Sequence, residues 1–488
     1  MGYSLRFFYE TDLAFKYESV LVLKEEKERD KNLLTGGIFP VLYEVSLPLI
    51  ITNVIMSLYN LADGLWVAQV SMTDFTATSF VWPPHYLFVS LGMGLSIAGT
   101  AIIAQLLGQK DLDKAESYAS HLFLLSLVIG LFFSVCGYFL APRIVQWMGA
   151  EGVLAEKSSA YLSILLLGFV FEMVFLSFNS ILGAQGQTRI TTLISTISSI
   201  LNVLLDPFFI FTREPVFGLP GLGMGIAGAA WATVLSQSIK VFLGVIAVRS
   251  EKNLVRLKLR SLKLSTYQFG ELLRTGFPTA LGQSSAAIGF TLLNSVIVAY
   301  GEATMTAYAA VNRISGFLMM PSQGVGSALT AIIGQNMGAG EKERVKSFVR
   351  LAFVTATSMA ILGGILQWVF RRPMLSVFLN GSGGNSQLVW AQALEYSLYS
   401  ALITPLMAFF NLFAGIFSGA GYQNYAAYIS IGRLWVIRLP MIYLFQRYSS
   451  WGSEAVWIAM LLSNVLIDIF GFYLLFKGKW FREPKIKH

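Results

Sequence analysis

Cysteine and histidine are almost missing from this chain of 488 residues, which contains one cysteine and three histidines. The single cysteine, Cys136, excludes a disulfide framework and any zinc or iron–sulfur site with several cysteine ligands. His85, His121 and His488 are far apart in sequence, so we expect no histidine metal cluster. The chain also lacks a GK[ST] phosphate loop, an HExxH motif and a Ser/His/Asp arrangement. These absences argue against an enzyme and against a cofactor.

Charge is also scarce. Charged residues make up 13% of the chain, about half of the roughly 25% found in soluble domains. By contrast, 55% of the residues are hydrophobic. A chain of this length with so little charge cannot cover the surface of one or more soluble cores. The composition therefore predicts an all-α polytopic membrane protein, with room for about a dozen helices of roughly 20 apolar residues.

Twelve long apolar runs are predicted to cross the membrane. They begin near residues 38, 76, 118, 158, 190, 225, 269, 305, 347, 388, 425 and 453. Most of the 35 basic residues fall on one side of these spans, so the positive-inside rule places both chain ends in the cytoplasm. This topology also explains the net charge of +8 without a nucleic-acid partner. We expect a multi-pass protein of the cell (inner or plasma) membrane.

The chain repeats itself. Residues 94–117 (GLSIAGTAIIAQLLGQKDLDKAES) align without gaps with residues 324–347 (GVGSALTAIIGQNMGAGEKERVKS), at an offset of 230. Pro48 and Pro278 obey the same offset. The matches in the first segment are Thr100, Ala101, Ile102, Ile103, Gln105, Gly108 and Ser117. We infer two six-helix bundles in parallel orientation, an arrangement found in several secondary transporters.

This repeat divides the chain. The predicted parts are a cytosolic N-terminal tail at 1–37, a first lobe at 38–250, a basic cytosolic linker at 251–268, a second lobe at 269–476 and a cytosolic tail at 477–488. The tail at 1–37 has no apolar segment or cleavage site of a signal peptide.

Two acids in the first lobe require an explanation, because a carboxylate inside a membrane costs roughly 2.5–3.5 kcal/mol. Asp63 lies in the first span. Asp206 lies in the fifth, on the same helical face as Asn202 and several hydroxyl residues, and immediately before Pro207. These oxygen groups favour a hard cation or a proton. The alternative is a polar seam packed against a neighbouring helix, with Asp206 kept neutral. The corresponding helix of the second repeat, through GRLWVIRLP, has no acid.

Other polar or adaptable residues are candidates for lining a cavity. Glu172 in the fourth span can face such a cavity, and Lys240 in the sixth can act as a counter-charge. Met173 is one of several methionines that suit an adaptable apolar cavity, although ordinary packing also explains it. A structural role is the better explanation for Asp468.

The order of several short motifs resembles the multidrug and toxic compound extrusion (MATE) transporters over about residues 38–476. These motifs are Pro48…Asp63, the repeated Gln and Gly near Gln105 and Gln335, NVLLDPFFIF, GAAWATVLSQ and RLWVIRLP. The resemblance implies a V-shaped transporter with two lobes around a central cleft. It is greatest to the branch named for DNA-damage-inducible protein F, which carries its coupling-ion site in the first lobe.

Residue by residue, that branch implies an H⁺ or Na⁺ site at Asp63, Asn202, Asp206, Ala229 and Thr233, and a helix bend at Pro48. The NorM-like branch instead carries acids in spans seven and ten. Here span seven has Gln283 and no acid, so we keep Gln283 only as a candidate cavity residue. No metal beyond Na⁺ is expected.

The resulting functional hypothesis is an efflux antiporter that exports organic, often cationic or amphipathic, compounds in exchange for H⁺ or Na⁺. Its expected partners are a small-molecule substrate and the lipid bilayer, and we expect a monomer. A lipid-linked-saccharide flippase or a metabolite exporter on the same fold is the first alternative. A membrane enzyme and a channel are the others.

Overall fold

The computed structural model describes residues 33–215, 218–257, 263–379 and 386–482. Regular structure in these ranges is helical. The first half contains α1 (Ile38–Val70), α2 (Met72–Gly108), α3 (Leu112–Trp147), α4 (Gly152–Leu167), α5 (Phe169–Ala184), α6 (Thr188–Ile210) and α7 (Ile226–Arg249). The second contains α8 (Thr266–Val298), α9 (Glu302–Gly338), α10 (Lys342–Val369), α11 (Arg371–Leu379), α12 (Ser386–Gly419), α13 (Gln423–Ile431), a π-helix (Gly432–Arg438), α14 (Leu439–Tyr448), α15 (Glu454–Lys477) and α16 (Lys479–Arg482). The tails at 1–32 and 483–488 and part of the linker lie outside the described residues.

Eleven helices in the described ranges are long and apolar enough to cross a membrane, and a bent pair supplies the twelfth span. That pair is α4 and α5, which meet at 43°. The sequence predicts one span beginning near residue 158, without a bend. The difference arises at Gly168, where a Cβ atom would lie 2.5 Å from Val234 Cγ2. Beyond the bend, Ser134 Oγ accepts the backbone N–H of Val170 at 2.9 Å.

The eleventh span contains a second irregularity that the sequence pattern does not reveal. Its middle winds as a π-helix from Gly432 to Arg438, between α13 and α14. Short π-helical segments are rare and occur frequently at functional sites. Both arginines of this segment, Arg433 and Arg438, are buried inside the second lobe.

The two ends of the molecule differ in how the lobes meet. We call the end with the turns at 109–111, 185–187 and 339–341 and the linker the basic end, and the opposite end the far end. In the far half, one hydrophobic cluster consists of first-lobe residues and another of second-lobe residues. In the basic half, each cluster contains residues of both lobes. The protein is therefore V-shaped, with its cleft open at the far end.

The first helix of each lobe packs partly into the other lobe. Val41, Leu42 and Val45 of α1 belong to the basic-half cluster of the second lobe. Leu272 of α8 belongs to that of the first lobe. The short segment at 33–37, directly before α1, is held in the same way, because Arg344 donates to the carbonyl oxygens of Leu33 and Gly36. Apolar burial at this end therefore joins the lobes.

Candidate functional site

A polar seam joins α1, α6 and α7 within the first lobe. Thr192 Oγ1 donates to the Pro48 carbonyl at 2.9 Å, and Ser198 Oγ donates to the Ser236 carbonyl at 2.9 Å. The hydroxyl and amide residues of α6 that the sequence places on one face all lie on its buried side. Residues with apolar side chains, such as Leu193, Ile200 and Leu204, face outward. The amphipathic pattern thus turns the polar stripe inward and leaves an apolar surface for lipid.

Asp63 and Asp206 meet at the far half of this seam. The two carboxyl groups lie within hydrogen-bonding reach of each other. Asp206 is fully buried and Asp63 is partly buried. The Oδ1 atom of each has no hydrogen-bond partner among the described residues. Two acids from different helices therefore share one buried site that has unused oxygen ligands.

Asn202 and Thr233 complete this site. The Asn202 amide is fully satisfied when its Nδ2 donates to Asp206 Oδ2 at 3.1 Å and its Oδ1 accepts the Thr233 backbone N–H at 3.1 Å. Thr233 Oγ1 donates to the carbonyl of Ala229 at 3.0 Å. Thus the five residues Asp63, Asn202, Asp206, Ala229 and Thr233 lie together, at one junction of three helices.

The sequence analysis did not identify Tyr59, one turn before Asp63, which also belongs to this cluster. Its hydroxyl lies near the Thr233 side chain, and it is within electrostatic range of both acids. Tyr161 of α4 lies within range of the same two acids. The four-residue spacing of Tyr59 and Asp63 places both on one helical face and could have indicated the first of them. Nothing comparable in the sequence connects Tyr161 with the site.

A second polar group lies nearer the middle of the first lobe. Gln237 Nε2 donates to Glu172 Oε2 at 3.3 Å. Lys240 lies with its Nζ 4.2 Å from the centre of the Phe175 ring, and it interacts electrostatically with Glu172. His85 is also within electrostatic range of Glu172. Lys240 is thus positioned as a counter-charge to Glu172.

The remaining candidate residues lie in three different environments. Met173 is 1% exposed and packs in the first-lobe cluster, so its side chain does not line the cleft in this conformation. Gln283 is partly exposed and lies next to Ser284, whose hydroxyl is 2.6 Å from that of Ser90 in the other lobe. Pro48 is buried inside α1, which is helical from Ile38 to Val70.

The second lobe buries the opposite charge. Arg438 Nε donates to Ser463 Oγ at 2.9 Å, and Arg433 lies 4.2 Å from the centre of the Phe410 ring. Asp468 interacts electrostatically with Arg433, yet both of its carboxyl oxygens and Arg433 Nε have no hydrogen-bond partner among the described residues. A stack of Tyr308, Tyr396 and Trp457 lies nearby, with ring centres 4.2–5.9 Å apart.

No group of three or more His, Cys, Asp and Glu side chains in the described ranges is arranged to hold a metal ion. Asp63 and Asp206 form a pair in the first lobe, and Asp468 of the second lobe lies within electrostatic range of Arg433. A duplicated, V-shaped bundle of up to twelve spans with charged groups buried inside each lobe defines a class, that of the polytopic membrane transporters.

Comparison with known proteins identifies the family. The MatE family model matches residues 48–208 and again 278–444. The chain therefore belongs to the MatE family of multidrug and toxic compound extrusion transporters, and it is not an enzyme. The two matched segments begin at Pro48 and Pro278, the pair of prolines that marks the internal repeat.

Individual relatives agree with this assignment. The chain is 24% identical to a probable multidrug resistance protein, YpnP, of Bacillus subtilis, over 91% of this chain and 96% of the relative. It is 26% identical to a probable multidrug resistance protein, NorM, of Halalkalibacterium halodurans, over 86% and 89%. A solved structure described as the outward-facing conformation of a multidrug resistance MATE family transporter is 26% identical. It aligns with a TM-score of 0.84 over 91% of this chain and 96% of that one. The protein is a multidrug efflux transporter by family.

Proposed function

We propose that the protein is a secondary antiporter that exports organic compounds, many of them cationic or amphipathic, in exchange for H⁺ or Na⁺. The coupling ion binds at Asp63 and Asp206, and Asn202 and Thr233 orient the site. The basic end and both chain ends face the cytoplasm, so that the cleft described above opens outward. The support for this orientation is the concentration of basic residues at that end.

The observation that carries the proposal is the contact between the two acids. Two ionised carboxylates in hydrogen-bonding contact repel each other, and a buried site screens this repulsion poorly. A proton shared by the pair, or a cation bound to the two unpartnered oxygens, removes the conflict. One inward elementary charge moved through 100 mV supplies about 2.3 kcal/mol, which corresponds to roughly a fiftyfold concentration ratio of substrate.

Pro48 links the ion site to motion of α1. Because proline has no N–H, α1 lacks one intrahelical bond at this position. The carbonyl that loses its helical partner is that of Glu44, four residues earlier. The Pro48 carbonyl accepts additional bonds from the hydroxyls of Thr192 at 2.9 Å and Thr52 at 3.0 Å. We infer that occupation of Asp63 changes the direction of α1 at Pro48 and so couples ion binding to substrate release.

The test is transport by purified protein in liposomes with pH and Na⁺ gradients imposed separately. Asp206→Asn is expected to abolish uptake driven by the coupling gradient while leaving substrate binding, measured by fluorescence, within a fewfold of wild type. Asp468→Asn is the matched control, because it changes a buried carboxyl group of the other lobe. Unaltered gradient dependence in Asp206→Asn would refute the coupling role.

A further inference from the structure

A pair of glutamines connects the two lobes at the basic end, and the two bonds are related by the internal repeat. Gln105 of α2 donates through Nε2 to the carbonyl of Gly419, the last residue of α12, at 2.8 Å. Gln335 of α9 donates through Nε2 to the carbonyl of Ala184, the last residue of α5, at 2.6 Å. Gln105 and Gln335 are separated by the repeat offset of 230. Each lobe therefore supplies one amide donor to the other.

The acceptors explain why these bonds matter. The last carbonyl groups of an α-helix have no intrahelical partner, and a buried helix end requires an outside donor. Gln105 is fully buried and Gln335 is 5% exposed, so water is not at hand to replace the amide. Each glutamine thus caps a helix that belongs to the opposite lobe. Separation of the lobes at this end leaves both caps broken.

Beside the glutamines, the backbones of α2 and α9 are in close contact. A Cβ atom at Gly108 would lie 2.0 Å from the Gln335 carbonyl oxygen, and one at Gly338 would lie 2.0 Å from the Gln105 carbonyl oxygen. Only glycine permits this approach, and the repeated Gln-x-x-Gly spacing supplies it twice. The sequence motif that marks the repeat is therefore an interlobe contact.

We propose that Gln105 and Gln335, with Gly108 and Gly338, form a two-fold clasp that holds the basic ends of the lobes closed and is released in the inward-open state. This proposal rests on the alternating-access function proposed above. In this proposal each repeat contributes one glutamine and one glycine to the interlobe contact. Because the halves are equivalent, loss of either glutamine shifts the balance toward the inward-open state, and loss of both shifts it further.

The direct test measures a distance without measuring transport. Asp113 and Glu343 are exposed residues in the first turns of α3 and α10, also 230 positions apart. Spin labels at Asp113→Cys and Glu343→Cys, in a Cys136→Ser background, report the separation of the basic ends by pulsed electron resonance. Gln105→Met and Gln335→Met remove the amide but conserve volume. Each is expected to enrich the long-distance population roughly fivefold, and the double variant roughly 25-fold.

Gln367→Met is the matched control. Gln367 is 1% exposed, and its amide donates to Ser315 within the second lobe at 3.2 Å, so the distance distribution should not change. An unchanged distribution in the double variant Gln105→Met/Gln335→Met, with the protein folded, would overturn the clasp. The distance measurement does not depend on ion coupling. The proposed function has its own test, because it would be overturned if the wild-type protein showed no gradient-driven transport.

A cross-link keeps the proposal testable if the glutamine variants do not fold. Ser117 Oγ of α3 donates to Gln268 Oε1 of α8 at 2.8 Å, so this pair joins the lobes at the same end. A short cleavable thiol reagent joining Ser117→Cys and Gln268→Cys is expected to stop transport, and cleavage is expected to restore it. Wild-type transport rates with complete cross-linking would contradict the need for the basic ends to separate.

Discussion

In the first lobe Lys240 lies over Phe175, and in the second lobe Arg433 lies over Phe410, with both cations 4.2 Å from the ring centre. The two phenylalanines occupy the same place in the repeat, each eleven residues before a turn glycine with positive φ, at Gly186 and Gly421. The cations come from non-equivalent helices, α7 in one lobe and the π-helix in the other. A cation over this ring is therefore a feature that both lobes have but supply from different helices.

The neighbours of these rings differ between the lobes. Glu172 stands three residues before Phe175, whereas the corresponding residue before Phe410 is Met407. The first lobe adds Asp63 and Asp206, while the second adds the buried Arg438 and Asp468. The two lobes therefore share the packing around this phenylalanine but differ in the charged residues nearby. Ion coupling in the first lobe and structural support in the second is the division of roles that this difference predicts.

The largest expected effect would come from exchanging acids for amides in each lobe. Asp63→Asn and Asp206→Asn together should abolish gradient-driven transport in liposomes, because no carboxyl group remains at the junction of α1, α6 and α7 to bind the ion. Asp468→Asn should retain the gradient dependence of the wild type. Loss of coupling in Asp468→Asn would show that the lobes do not divide the roles in this way.

Removing a buried arginine should destabilise the second lobe. Arg433→Gln removes a guanidinium that lies over the Phe410 ring and within electrostatic range of Asp468, and the loss of a desolvated cation–π contact costs roughly 2 kcal/mol or more. The expected result is a lower midpoint of thermal unfolding in detergent. The double variant Arg433→Gln/Asp468→Asn should recover part of this loss, and a cycle with no interaction energy would contradict an electrostatic contribution from Asp468.

The crossing of α2 with α5 in the first lobe, and of α9 with α12 in the second, offers a more moderate test. In the first lobe, Ser180 Oγ donates to the Ser96 carbonyl at 2.9 Å. In the second, the equivalent residues are Gly415 and Gly326, and a Cβ atom at Gly415 would lie 1.9 Å from the Gly326 carbonyl oxygen. We expect Gly415→Ser to destabilise by about 1–3 kcal/mol through overpacking.

The reverse exchange in the first lobe, Ser180→Gly, removes a hydrogen bond and should cost about 1 kcal/mol. Thermal unfolding of both variants checks the difference. Equal losses would mean that the second lobe can relax at this crossing and that the closer approach of its helices is not required.

The smallest effects are expected where the lobes agree. Thr192→Val removes the bond from the Thr192 hydroxyl to the Pro48 carbonyl, and Ser430→Ala removes the bond from Ser430 to the Gly282 carbonyl, which measures 3.0 Å. Both bonds join the first helix of a lobe to its fifth span. Each substitution should lower the free energy of unfolding by about 1 kcal/mol, by the same thermal measurement. A clearly larger loss for one of them would show that the two lobes do not rely equally on this bond.

Much of this arrangement follows from the sequence. The apolar runs predict the spans because a membrane requires long apolar helices, and the TAII…Q…G repeat predicts the duplicated lobes. The polar face of α6 is legible because helical spacing places Asn202 and Asp206 together. These features depend on local periodicity or on internal comparison, which one sequence contains.

Other features depend on contacts between distant helices and could not be predicted. The bend at Gly168 reflects the approach of Val234, and the π-helix of the eleventh span leaves no pattern in GRLWVIR. The convergence of Asp63 with Asp206 required the resemblance to a family. The flexible side chain of Met173 suits a cavity, but residues of the first-lobe hydrophobic cluster bury it.

The start of α1 has a mechanical consequence. At about 1.5 Å per residue, α1 is a rod roughly 50 Å long, whose first turns pack in the second lobe and whose preceding carbonyls are gripped by Arg344. Asp63 sits near its other extremity, against the first lobe. When the lobes separate at the basic end, the second lobe pulls on the first turns of α1 while its other end stays packed in the first lobe. Pro48 lies between these two ends, at the position where α1 would bend.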